Sequence, residues 1–279
     1  MSRGLLRTLK KRIDSTYSTM KITRAMEMVA RAKLSKIRYG LDPIIEYEKE
    51  LKKSINYLHK KVFLGEKTKT EENFLIVVST DMGLCGGFNS ELFRKVNREL
   101  SEKKIAGIIS VGLKAENYFK NSKLVRNSFS KFFDVPTPDD AEIIINTFYE
   151  DKDKDKKDYG LLVAYNEFKN PLVQVPTIQR ILPYDIDDSE LPDDVYDFEP
   201  YPEKLFEDLE KNWIISKVLL SLFESKYGEL YARQNSMKTA TDNAKDLIDS
   251  LTLLKNKVRQ SNITQEITEV VSGANALKS

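Results

Sequence analysis

Near the end of the chain, apolar residues recur at alternating steps of three and four: Met237, Ala240, Ala244, Leu247, Leu251, Leu254 and Val258. This spacing predicts a helix carrying the seam of a left-handed coiled coil. After Val258 the seam slips. Ile263, Ile267, Val270, Ala274 and Leu277 then resume the rhythm, so the apolar face rotates around the helix near its tip. At the other end of the chain, Leu6, Leu9, Ile13 and Met20 begin a similar stripe, interrupted by Thr16 and Thr23 and resumed by Ile22, Met26 and Val29. Alanines and threonines in such seams favour close, imperfect packing, which suits an antiparallel pair of unequal length within one chain better than a symmetric zipper.

The middle of the chain follows a different rhythm. Phe74–Ser79 and Ile105–Val111 are short apolar runs of the kind found in buried parallel strands, and helical stretches follow each at Asn89–Glu102 and Leu113–Asn121. A third helix is predicted at Pro138–Tyr149, where Asp139 and Asp140 enrich the first turn. Lys152–Asp158 reads as a charged turn, and Leu161–Tyr165 and Val173–Leu182 as two more strands. All nine prolines fall between Pro43 and Pro202, leaving the two ends free of the strongest helix breaker. The predicted fold is a long antiparallel coiled coil of N- and C-terminal helices plus a small Rossmann-like α/β domain. Its parts are an N-terminal helix over 1–60, the α/β domain over 70–185, an acidic linker over 186–202 and a C-terminal helix over 203–279. A continuous helix of that last length would span on the order of 115 Å at ~1.5 Å per residue, more than an ordinary globular domain needs.

Composition narrows the function classes. Of 279 residues, 41% are hydrophobic and 32% charged, enough for a core in a helix-rich soluble chain. There is no apolar run of about 18 residues, so membrane association is expected to run through a partner. One cysteine, Cys85, cannot form an internal disulfide, and with His59 as the sole histidine no zinc site can be assembled from both types. Charge is uneven: residues 1–38 hold eleven Lys or Arg against Asp14 and Glu27, a net +9 in a chain whose total is +2. A basic helix of this kind calls for an acidic partner. An acidic protein collar and nucleic-acid phosphates satisfy that requirement equally well on charge alone, so a basic coiled-coil adaptor for nucleic acid stays open at this point.

The most enzyme-like feature is Asp81–Asn89, a glycine-rich turn placed after a strand and before a helix, where phosphate is often bound. Gly83, Gly86 and Gly87 lack the dinucleotide spacing, and no Gly-Lys-Ser/Thr follows. A structural turn, with backbone approaching a neighbouring element, is the better reading. Cys85 has no base placed beside it by any motif, so it reads as a buried thiol. The acidic pairs Asp139/Asp140, Asp187/Asp188 and Asp193/Asp194 lack the spacing of a calcium loop and read as a helix N-terminus and linker charges. No catalytic, cofactor or metal site is predicted.

Three segments resemble those of a known family. Lys21-Ile-Thr-Arg-Ala-Met-Glu-Met-Val-Ala30 resembles the N-terminal signature of the ATP synthase gamma subunit family, and Ile263-Thr-Gln-Glu-Ile-Thr-Glu-Val-Val-Ser-Gly-Ala-Asn-Ala-Leu277 its C-terminal one. Asp81–Asn89 is similar to the family's Asp-Arg-Gly-Leu-Cys-Gly-Gly-Leu-Asn, with Met82 in place of arginine and Phe88 in place of leucine. The resemblance implies a bacterial rotor: a central stalk whose paired helices sit in a hexamer of alternating alpha and beta subunits, one gamma to three of each. The α/β domain would contact epsilon and the ring of c subunits at the cytoplasmic face of the membrane. It implies no catalysis by this chain and no nucleic acid, and it makes the basic first helix part of the mature protein. By position, Met26 matches a methionine at the rim of the bore, close to an acidic beta loop. Arg259 and Gln260 match a pair that hydrogen-bonds a beta loop higher on the shaft.

Overall fold

The computed structural model describes residues 2–62, 70, 72–183 and 202–276. The elements run α1 (Ser2–Val62), β1 (Asn73–Val78), α2 (Phe88–Glu102), β2 (Ile105–Val111), α3 (Leu113–Phe119), β3 (Val125–Phe129), α4 (Pro138–Asp155), β4 (Gly160–Asn170), β5 (Val173–Leu182) and α5 (Pro202–Ala276). Leu277, the side chain of His59, and the linker before Pro202 with Asp187/Asp188 and Asp193/Asp194 lie outside the described residues. Two compact units divide the chain: Met1–Val29 with Gln234–Ser279, and Ala30–Arg233.

In the larger unit the five strands form one sheet in the order β3-β2-β1-β4-β5. The first four are parallel, and β5 returns antiparallel to β4. That parallel order is Rossmann-like. Alternation along β1 assigns its side chains to two faces. Leu75 and Val77 pack with Leu92, Phe93 and Val96 of α2 and Ala115 and Phe119 of α3. Phe74, Ile76 and Val78 join Ile144, Ile145 and Phe148 of α4 and the apolar sides of α1 and α5. Residues buried on both faces of the sheet explain why β1 reads as an unbroken apolar run.

Within this unit α1 and α5 are antiparallel: Gly40 meets Phe223, while Glu48, further along α1, meets Trp213 and Lys217, earlier on α5. The buried face of α1 steps through Ala30, Leu34, Ile37, Leu41, Ile44, Glu48, Leu51, Ile55 and Leu58, an unbroken alternation of four and three. Here α5 is wrapped by α1 on one side and the sheet on the other, and Trp213, Ile214, Val218, Leu222, Phe223, Tyr227 and Leu230 are all buried. A helix buried all round has little amphipathic signal to read in its sequence.

The smaller unit contains the first part of α1 and the last part of α5. Its α1 seam runs through Leu6, Leu9, Ile13, Thr16, Met20, Thr23 and Glu27. This corrects the expected stripe. Thr16 and Thr23 belong to the seam and do not interrupt it, while Ile22 and Val29 face outward at 61% and 57% exposure. The hydroxyls of Thr23 and Thr241 are 2.8 Å apart, joining the helices through a hydrogen bond within the seam. On α5 the buried residues are Met237, Ala244 and Leu251, seven apart, whereas Leu247 and Leu254 are exposed.

Other boundaries also shift. α1 runs on past the expected 60 to Val62, with Pro43 inside it as that span required. The proline ring removes one backbone donor there, and flanking seam contacts at Leu41 and Ile44 hold the helix through it. α4 runs on to Asp155, absorbing most of the expected charged turn, and ends at Lys156 in the left-handed region (φ 50). It starts at a capping box in which Thr137 and Asp140 satisfy each other's backbone N–H groups, with Pro138 in the first turn. The strand β3 was not expected from the sequence. It is a short sheet edge, Val-Arg-Asn-Ser-Phe, with polar residues on its open face.

Candidate functional site

The Asp81–Asn89 turn leaves the carboxyl end of β1, between β2 and β4, at the point where the parallel strand order reverses. In open α/β sheets this is where ligands bind. In this chain the position is taken up by the chain's own side chains. Asp81 Oδ1 accepts the backbone N–H of Leu113 at 2.9 Å and of Lys131 at 2.8 Å, tying the turn to the starts of α3 and the segment after β3. Asn89 donates from Nδ2 to Thr80 Oγ1 at 2.8 Å and accepts from Thr80 N at 3.2 Å, closing the turn on itself. Leu84 and Gly86 both lie in the left-handed region, at φ 64 and 61. For a leucine that conformation costs about 1–2 kcal/mol and persists where neighbours hold it.

The neighbour that holds it is Arg233 of α5. Its Nη2 donates to the carbonyl of Met82 at 3.0 Å and its Nε to that of Gly83 at 3.3 Å, while Nη1 donates to Glu229 Oε1 at 2.6 Å. Glu229 is in turn paired with Lys226 at 3.2 Å. Arg233 and Glu229 are 7% and 4% exposed. The turn therefore presents carbonyls to a guanidinium; a phosphate cradle needs N–H groups pointing at the ligand. The adjoining cleft, between Ser79, Asp81, Phe132, Leu222 and Glu229, has about 10 Å³ open, room for about one water. Cys85 is buried in the turn, and burial raises its thiol pKa above the ordinary value, opposed by the Arg233 charge. Because burial outweighs that charge, the thiol is not poised as a nucleophile.

Arg233 and Glu229 were missed by sequence reasoning. The available signal was a charged pair four residues apart at the end of the apolar-rich stretch from Leu219 to Tyr231, Glu229 inside it and Arg233 just past it.

Of the residues carried over by position, Met26 is half-buried, and Arg259 and Gln260 are exposed on α5. The structure does not bring them together. Met26 lies one turn from Thr23, which meets Thr241, while Arg259 is on the order of 27 Å further along α5 at ~1.5 Å per residue. From Arg259 to Ala274 every residue except Asn262 is exposed. Ile263, Ile267, Val270 and Val271 thus form an uncovered apolar strip, with Ile267 at 58% and Val270 at 72% exposure.

The ATP synthase family profile matches residues 5–277. The chain belongs to the ATP synthase gamma family. It is 36% identical over 298 residues to the ATP synthase gamma chain of Mycobacterium tuberculosis (strain H37Ra), covering 98% of this chain and 97% of that one. To the gamma chain of Glaesserella parasuis it is 35% identical over 284 residues, covering 96% and 98%. Among solved structures, a chain of the Euglena gracilis mitochondrial ATP synthase, solved as OSCP, F1 and c-ring in rotational state 3, matches with a TM-score of 0.69 at 18% identity, covering 98% of this chain and 95% of that one. That likeness, at 18% identity, shows the fold alone: long terminal helices with a central Rossmann-like sheet. Among the described residues no helix is long and apolar enough to cross a membrane.

Proposed function

We propose that this gamma-family chain is the rotating central stalk of an ATP synthase, seated in a head of alternating alpha and beta subunits and driven from below by a c ring, with epsilon bound at its base. It performs no chemistry itself. One asymmetric shaft facing three like catalytic subunits holds them at any instant in three conformations of different nucleotide affinity, and rotation exchanges those states in turn. Contact-driven opening of a site then sets product release. The complex lies at the cytoplasmic face of a bacterial membrane, and this chain reaches it through its partners.

The observation that carries this reading, beyond family membership, is the bare end of α5. Ile263, Ile267, Val270 and Val271 are exposed in the single chain, and a contiguous apolar strip of that kind marks a surface that a partner covers. A collar of head subunits is the partner the family supplies. The +9 basic segment 1–38 supplies the charge complement to acidic loops around such a bore. Met26, Arg259 and Gln260 are the proposed beta contacts. An arginine can there bridge two chains through its planar fork of donors, and Gln260 can both donate and accept.

The test is a native mass measurement of the complex that the chain enters in its own cell. One copy beside three alpha and three beta subunits is the expected stoichiometry. Recovery of the chain without nucleotide-hydrolysing subunits, or bound to nucleic acid with a steep salt dependence, would overturn the proposal.

A further inference from the structure

Over Tyr227–Arg233, α5 touches the sheet in two chemically different ways. The first is apolar. Phe168 of β4 stacks on Tyr231 with ring centroids 5.3 Å apart and meets Tyr227 edge-on at 4.7 Å. Gly228 lies so close to Gln174 and Phe88 that a Cβ there would sit 3.0 and 3.3 Å from them. Burial of apolar surface is non-directional, so such contacts resist separation better than they resist sliding or turning.

The second is directional. Every nitrogen of the Arg233 guanidinium is engaged, on the carbonyls of Met82 and Gly83 and on Glu229. The loop it grips is itself bound to the β4 strand, since Asn166 donates from Nδ2 to the carbonyl of Phe88 at 3.1 Å. A rigid planar fork that meets two successive carbonyls and a carboxylate fixes position as well as distance. A buried ion pair of this kind adds little net stability over an apolar replacement, and its use lies in specifying one arrangement.

We infer that the buried Arg233–Glu229 pair is a clasp that locks the Asp81–Asn89 turn to α5 and forms the non-slipping joint through which load passes between the sheet and that helix. The load-bearing part of the inference rests on the shaft reading proposed above; the clasp itself does not. In the locked form Cys85 is buried beneath the turn. In the released form, with Arg233 withdrawn, Leu84 and Gly86 are free to leave the left-handed region and the thiol becomes reachable.

The chain carries one cysteine, so Cys85 is its own reporter. The labelling rate of Cys85 by a small maleimide is measured on the full chain for wild type, Arg233→Lys, Arg233→Met and the double variant Arg233→Met with Glu229→Met. The double variant removes both members of the buried pair together and leaves only the half-buried Lys226 without Glu229, so it strains the fold less than a single substitution does. The expected result is a rise in labelling of about tenfold or more in the double variant, with Arg233→Lys between it and wild type, because local opening controls access. Wild-type labelling in the double variant would overturn the clasp. In the assembled complex, the double variant is expected to hydrolyse ATP at near the normal rate while moving fewer ions per ATP. Normal ion movement alongside fast labelling would overturn the joint's role as load path. Failure of the wild-type chain to assemble would count against the shaft reading alone, and the labelling result would still decide the clasp.

Discussion

A Cβ placed on Gly40 would sit 2.6 Å from Cε1 of Phe223. Between two helices this is a contact only glycine permits, and Phe223 is itself buried at the centre of the core. Gly40→Ala is therefore expected to destabilise the chain by about 1–3 kcal/mol through overpacking, although alanine is the better helix former. Chemical denaturation of Gly40→Ala, Phe223→Leu and the double variant checks this. The double should be more stable than the sum of the single changes predicts, since the smaller side chain makes room for the methyl group. Simple additivity would mean that the two residues do not oppose each other as the distance indicates.

A second prediction concerns Glu48, which is buried where α1 faces α5. Its Oε1 accepts from Trp213 Nε1 at 3.2 Å and from Lys217 Nζ at 3.0 Å. Lys217→Met leaves the carboxylate without its counter-charge and should cost about 3–5 kcal/mol, whereas Glu48→Gln with Lys217→Met together should recover most of that loss. Equilibrium unfolding of the three variants decides it. Equal destabilisation by Lys217→Met and by the pair would show that the buried charge is not the cause.

How far these elements were legible from sequence depended on what each residue had to satisfy. Runs buried on both sheet faces, such as Phe74–Val78, announce themselves through composition alone. Apart from β3, the order of strands and helices along the chain was likewise readable, and Val173–Leu182 was located to the residue. The coiled-coil seam was harder. Thr23 fills a seam position by bonding to Thr241, so a search for apolar residues passes to Ile22 and Val29, which are exposed. β3 was missed because a half-exposed edge needs few apolar residues. The site divides in the same way. Motif residues such as Asp81 and Asn89 stand together in sequence, but the residue that grips their turn, Arg233, lies 151 residues from Met82, and its one local sign is Glu229 four residues before it. Charge alone left acidic protein and nucleic acid as equal partners for the first helix; membership of the gamma family favours protein.

pH should act through Glu224. Burial, chiefly, and the neighbouring Glu167 raise its pKa above the ordinary 4.5, with Tyr165, Lys217 and Lys169 also facing it. The raised folded-state pKa means that the native chain binds this proton more tightly than the unfolded chain does. Its contribution to stability is fully present below the unfolded pKa and is lost as pH rises through the folded one. Glu224→Gln, which stays neutral, should therefore gain stability relative to wild type as pH is raised from about 4 towards 8. Unfolding of both proteins across that range measures it. A difference that is flat with pH, or that shrinks as pH rises, would contradict the assignment.

The bare end of α5 separates folding from assembly. Ile267 and Val270 are exposed, so Ile267→Lys or Val270→Asp should change the stability of the isolated chain by no more than about 0.5 kcal/mol. If a head of alpha and beta subunits covers that strip, each change places a charge in an apolar contact, and a loss of about 1–3 kcal/mol in association is expected. That corresponds to a fall of roughly tenfold or more in the affinity of the chain for the head. Glu266→Lys, a change of charge on the same segment outside the apolar strip, is the control and should have the smaller effect. The measurements are thermal unfolding of each isolated variant and titration of the chain into head subunits, read by the recovery of ATP hydrolysis. Two results would count against a collar around this segment: wild-type assembly by both apolar variants, or an equal loss in the control. A variant that unfolds early would instead mean that Ile267 or Val270 supports the helix itself, contrary to its exposure.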